Sequence, residues 1–183
     1  SIVPALGLVG AVTAGSAALV AITKQAFELG AAFDAASDRI SVATGATGAR
    51  LQRLQHDFEA VFTSIPVSMK DAAEAISILS VRLDLTGEAL QNVSKNVLEL
   101  SRITGTDAAT NARLAARAFR DWSVETENQV DTLNLFLRAS QASGISVTRL
   151  QELLVQFGAP LRGLGFEMEE VVAIISKFEK EGV

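Results

Sequence analysis

From Ala5 to Ala43 the apolar and small residues advance along the chain in steps that alternate three and four. The series runs Ala5, Leu8, Val12, Gly15, Leu19, Ile22, Ala26, Leu29, Phe33, Ala36, Ile40 and Ala43. A strand repeats every two positions, so this spacing points to an α-helix. Held for so long without a slip, it is the seam of a coiled coil or of a helix lying in a groove. One continuous helix is expected over about residues 5–43, roughly 55–60 Å long at about 1.5 Å per residue. Its two halves differ. Lys24 is the first charged residue, so the off-seam positions up to Ile22 are uncharged, whereas Lys24, Glu28, Asp34, Asp38 and Arg39 make the second half amphipathic. The glycines of "TGATG" (44–48) suit a helix C-cap and end the run.

The remainder reads as shorter amphipathic helices separated by capping phrases. A helix over about 49–63 places Leu51, Leu54, Phe58 and Val61 on one face, and Ser68 to Asp71 opens the next as a capping-box-like start. Thr86 is placed to cap a helix that turns Leu90, Val93, Val97, Leu100 and Ile103 inward. "TGTD" (104–107) opens a helix carrying Leu114, Ala118, Phe119 and Trp122, and another follows over about 125–142. "SGIS" (143–146) starts one whose inward residues are Leu150, Leu153, Leu154 and Phe157. "GAPLRGLG" (158–165) is expected to be a turn, before a last helix with Met168, Val171, Val172, Ile175 and Phe178 inward. Leu85 with Leu90, Ile145 with Leu150 and Phe166 with Val171 each fit a hydrophobic staple. "LTGEALQNVSKNVLELSRITG" and "SGISVTRLQELLVQFGAPLRGLG" share one layout near 60 residues apart, which suggests a duplicated helical hairpin.

Composition agrees with helices. Alanine and leucine carry much of a 49% hydrophobic content, and aromatic residues make up only 5%. The expected fold class is all-α. A long N-terminal seam helix (1–46), coiled-coil-like, precedes an array of about seven shorter antiparallel amphipathic helices (47–183).

The search for chemistry returns no constellation. A net charge of −5 lacks the basic footprint of a dedicated nucleic-acid binder, and the absence of cysteine removes thiolate metal sites. His56 is the single histidine and lies off the apolar face, with no second ligand at metal spacing. Glu167, Glu169 and Glu170 open the last helix, where negative charge complements the dipole. "GAPLRGLG" lacks the Gly-Lys-Ser/Thr ending of a phosphate loop. Arg113, Arg117 and Arg120 form a basic stripe able to meet an acidic surface, although Asp121 stands four residues beyond Arg117 and is placed to pair with it. No enzyme activity, cofactor or metal is expected.

What remains is surface. The seam residues Leu8, Val12, Gly15, Leu19, Ile22, Leu29, Phe33 and Ile40 are the expected contact with sister copies or a partner. The uncharged run 2–23 also allows a rival reading as a membrane-inserting helix, with small residues at Gly10, Ala14 and Ala18 for close helix approach. A helical adaptor or scaffold domain is the second rival. A chain that starts inside an apolar run and stops at "KFEKEGV" reads as a piece of something longer.

Residues from about 33 to 183 resemble the core region of phage tail tape measure proteins, of the minor tail protein family. The phrases that carry the likeness come in order: "AFDAASDRISVATGATGARLQRL", "SMKDAAEAISILS" with "LTGEALQNV", "VLELSRITGTDAATNARLAARAF", and the closing "SGISVTRLQELLVQFGAPLRGLGFEMEEVVAIISKFEKEGV". "LDLTGEA" and "DWSVE" depart from the family's usual turn phrases, which puts the helix ends near 84–88 and 122–126 in question. The resemblance implies a structural virion protein that lies in the tail-tube lumen or tip in several copies, a trimer favoured. It further implies that the protein templates tail length and leaves ahead of the DNA. Implied partners are the tail tube, distal tail or tail-tip hub proteins and tail assembly chaperones, with contact to a host membrane during ejection.

Overall fold

A computed structural model describes residues 28–182 of the chain. The described residues fall into two parts, divided between Ala36 and Ser37. Residues 28–36 of the first part are helical, and helical backbone continues to residue 44 of the second; this run is α1. The expected helix before residue 28 lies outside the described residues. Seven further helices follow: α2 (Gly48–Phe62), α3 (Met69–Leu83), α4 (Gly87–Thr104), α5 (Ala108–Asp121), α6 (Gln129–Ser143), α7 (Val147–Gly163) and α8 (Met168–Glu181). No strand occurs among the described residues, so the fold is all-α.

Five of the joins use one device. A residue with positive φ is followed by a single linker residue and then by an extended N-cap: Gly45-Ala46-Thr47, Asp84-Leu85-Thr86, Gly105-Thr106-Asp107, Gly144-Ile145-Ser146 and Gly165-Phe166-Glu167. The left-handed step reverses the chain, and glycine takes it without Cβ strain. Asp84 is the one non-glycine in that place, a residue type that tolerates the region better than most. Asp107 accepts from the Thr110 amide at 2.7 Å, Ser146 from Arg149 at 3.1 Å, and Glu167 closes a capping box with Glu170. Ser68, at a different kind of join, accepts from Asp71 at 3.0 Å.

The two remaining joins, residues 63–68 and 122–128, lack this turn and divide the helices into groups. α3, α4 and α5 form one group and α6, α7 and α8 the next. Met69–Leu83 and Gln129–Ser143 start and end 60 residues apart, as do Ala108–Asp121 and Met168–Glu181. Gly45, Gly105 and Gly165 share the left-handed conformation at the same interval, and α2 begins 60 residues before α5. The duplicated hairpin is therefore a three-helix repeat, and α1 with α2 holds the places of its second and third helices.

Packing follows the repeat. α3 lies most extensively on α5, and both helices bury alanines: Ala72, Ala73 and Ala75 on one, Ala108, Ala112 and Ala115 on the other. Helices joined by the short turn run antiparallel. Across the repeats the direction changes: Asn111 meets Thr148 and Trp122 meets Gly158, so α5 and α7 run parallel. α2 packs on α4 one repeat earlier. Phe58, Phe119 and Phe136 are fully buried within the array, each contributing roughly 1.5–3 kcal/mol by burial.

Four local expectations are corrected. Thr86 makes no side-chain cap; Asp57 of α2 accepts the Gly87 amide hydrogen instead. "GAPLRG" is not a turn but the last part of α7, with Pro160 inside it. The indole of Trp122 lies on Gly158 and Arg162 donates to the Asp121 carbonyl, so contacts with the end of α5 hold that turn helical. Ile103, expected inward, is exposed. So, in large part, are Phe157 and Phe178.

Candidate functional site

Among the described residues no three His, Asp or Glu side chains come together as a metal site. His56 is exposed. No described helix is long and apolar enough to cross a membrane.

Of the seam residues, Leu8, Val12, Gly15, Leu19 and Ile22 lie outside the described residues. Leu29 is exposed and Phe33 half-buried. Ile40 is fully buried, so it serves the core and presents no surface to a partner.

The basic stripe on α5 is broken up by its surroundings. All three arginines are exposed, but Arg117 pairs with Asp121 at 3.5 Å. Arg113 lines a groove of about 720 Å³ with Asp38, Arg39, Glu74 and Asp107. Arg120 sits at the other end of the helix, beside Arg82, Asp84 and Glu125. Carboxylates thus accompany each guanidinium, and the three do not form one uncompensated cationic face. Asp107 itself titrates below the usual carboxylate range, chiefly through the Thr110 side-chain and backbone hydrogen bonds, with Arg113 and Lys70 adding to the effect.

Two polar clusters fix the register between helices. Fully buried Asn111 donates to Ser101 Oγ at 2.9 Å and to Thr106 Oγ1 at 2.5 Å, and accepts from Thr148 at 3.2 Å. It thereby ties α5 to α4, to the turn before it and to α7. The buried Asp57 accepts from the Gly87 amide and from Gln91 Nε2, and so locks α2 to the start of α4.

An apolar groove of about 420 Å³ lies between α7 and α8. Its walls are Leu153, Phe157, Pro160 and Leu161 on one side and Ile174 and Phe178 on the other. Sequence reading missed it because Phe157 and Phe178 keep the helical spacing of core residues. Periodicity tells that a face is apolar but not what covers it. The signal that identifies it is comparison of Phe157, Pro160, Leu161 and Phe178 with the positions 60 residues earlier, which are buried.

Residues 56–183 match the family described as phage-related minor tail protein. The chain is also similar to the tape measure protein of Pneumococcus phage Dp-1, 22% identical over 174 residues, which is 95% of this chain and 15% of that relative. The chain thus spans about 15% of the length of the curated relative it matches. No solved structure matches.

Proposed function

The chain belongs to the phage-related minor tail protein family and is a structural component of a phage tail, and from that premise we propose that it is a segment of a tape measure protein. In this reading it lies in the tail-tube lumen or tip, sets tail length and leaves ahead of the genome. The observation that carries the reading is the likeness to a tape measure protein along 95% of the chain. The repeat supports it. A ruler must translate residue number into length, and an array that adds the same three helices every 60 residues does so in equal steps.

Self-association in several copies, with three favoured, would use the seam from Leu8 to Phe33. The tube, hub and chaperone proteins remain the proposed partners, and an acidic chain suits an occupant that must release rather than grip DNA. Residues 2–23, uncharged throughout, are the part suited to bilayer contact after ejection. Flotation with liposomes tests that part: recovery of the segment with the lipid supports it, and a soluble oligomer argues against it.

The ruler role is tested by deleting one whole repeat, residues 69–128, in frame from the full-length protein and measuring tails by electron microscopy. Sixty residues drawn out as one helix span about 90 Å, whereas a single 15-residue helix spans about 22 Å. Shortening near the first value means that the helices string out in the tube. Shortening near the second means that the repeats stay folded. Tails of unchanged length refute the ruler.

A further inference from the structure

We propose that the α7/α8 groove is the docking surface for a following three-helix repeat of the same polypeptide, its first helix covering α7 as α6 covers α4 and its second laid parallel to α8 as α7 lies against α5. The inference rests on the reading of this chain as a segment of a longer tape measure protein.

The argument is a comparison of equivalent positions. Sixty residues before Phe157, Pro160, Leu161 and Phe178 stand Val97, Leu100, Ser101 and Ala118. All four are buried, and on that face α6 packs on α4 and α7 on α5. Where no repeat follows among the described residues, Phe157 is 45% exposed and Phe178 51%. The same place in the fold is thus core in one repeat and open in the next. What differs is the presence of a succeeding repeat.

The existing interfaces also give the direction and register of the occupant. Thr148 stands 37 residues after its partner Asn111, and Gly158 stands 36 after Trp122, so each α5 residue meets α7 about 36 residues later. α2 meets α4 through Asp57 and Gln91, 34 residues apart. The helix that completes the groove therefore runs parallel to α8, and the residue opposite Phe178 lies about 36 positions downstream of it.

A second copy of the chain is a poorer occupant. The α7 positions Gln151, Leu154 and Gly158, buried at the interface with α5, correspond on α1 to Ala31, Asp34 and Asp38. Offering α1 to the groove would place two carboxylates against phenylalanine and isoleucine, which costs several kcal/mol per ion if they stay charged.

The test replaces Phe178 with the photo-crosslinker benzoylphenylalanine in the full-length protein, irradiates, and maps the adduct by mass spectrometry. Phe178 is half exposed, so the larger side chain is tolerated. The expected result is a cross-link within one polypeptide to a segment about 36 residues further on. An adduct to a second copy, to a tube or hub protein, or to no protein overturns the proposal. Failure of the ruler reading is separable: an intramolecular adduct together with tails of unchanged length leaves the docking intact and removes the ruler.

Discussion

Asp57 Oδ2 accepts the amide hydrogen of Gly87 at 2.9 Å across 30 residues of chain, and its Oδ1 accepts from Gln91 Nε2 at 2.7 Å. A carboxylate on one helix thereby does the capping that Thr86, the N-cap residue itself, leaves undone. It is also placed at the positive end of the α4 dipole. Because Asp57 is buried, removing it orphans both donors away from water. Asp57→Ala is expected to cost about 1.5–3 kcal/mol, the range for hydrogen bonds to a charged group. Urea denaturation checks this, and a loss below about 0.5 kcal/mol would mean that Thr86 takes over the cap.

Gln151 occupies the place of Gln91 one repeat later, but its partner has gone: position 117, equivalent to Asp57, is an exposed arginine. Gln151 is fully buried, and neither amide atom has a hydrogen-bond partner among the described residues. Gln151→Met keeps the volume and removes the desolvated amide. It should raise stability by about 1–2 kcal/mol, the penalty of an unmade buried hydrogen bond. A lower denaturation midpoint for the variant would contradict this.

These two residues show where sequence reading succeeds and stops. The turns were legible because each is written locally, as a glycine or aspartate followed two residues later by a capping type. The spacing near 60 was also visible at one pair of helices. Its extension to three helices was not, since apart from the glycines at 45, 105 and 165 what recurs is helix length and spacing rather than side-chain identity. "GAPLRG" misled because proline and glycine usually break helices. Tertiary contacts from Trp122 and Arg162 decided otherwise. Phe157 and Phe178 keep the helical face that their spacing predicts but stand exposed on it. A helix's own sequence does not encode which neighbour covers it.

The contact between Trp122 and Gly158 offers a direct readout, because Trp122 is the single tryptophan. A Cβ built on Gly158 would stand 3.0 Å from indole Nε1 and 3.2 Å from Cζ2. Gly158→Ala gains about 1 kcal/mol of helix propensity and spends a similar amount moving the ring a few tenths of an ångström. Its net effect is expected to lie within about 1 kcal/mol of zero. Gly158→Leu cannot be absorbed that way and should displace the indole, cost about 1–3 kcal/mol and shift tryptophan emission to the red. Unchanged emission in the leucine variant would show that the ring does not rest on this glycine.

Asp107 supplies a pH-dependent prediction whose sign follows from its surroundings. Its folded pKa is lowered from the ordinary 3.8, chiefly by the hydrogen bonds from Thr110, which outweigh desolvation, with the Arg113 and Lys70 charges adding a lesser lowering. A depressed carboxylate contributes stability that is present above the unfolded pKa and is lost as pH falls through the folded pKa. Asp107→Ala removes the cap of α5 altogether and should cost about 1 kcal/mol at neutral pH. Asp107→Asn keeps an acceptor oxygen for the Thr110 amide but not the charge, so it isolates the ionic part. The wild type should exceed the asparagine variant in stability near pH 7, and the gap should close progressively as the pH is lowered from about 5 to about 2. Denaturant midpoints of the two proteins across that interval measure the gap. A difference that stays constant with pH would assign the whole effect to cap geometry and none to the charge.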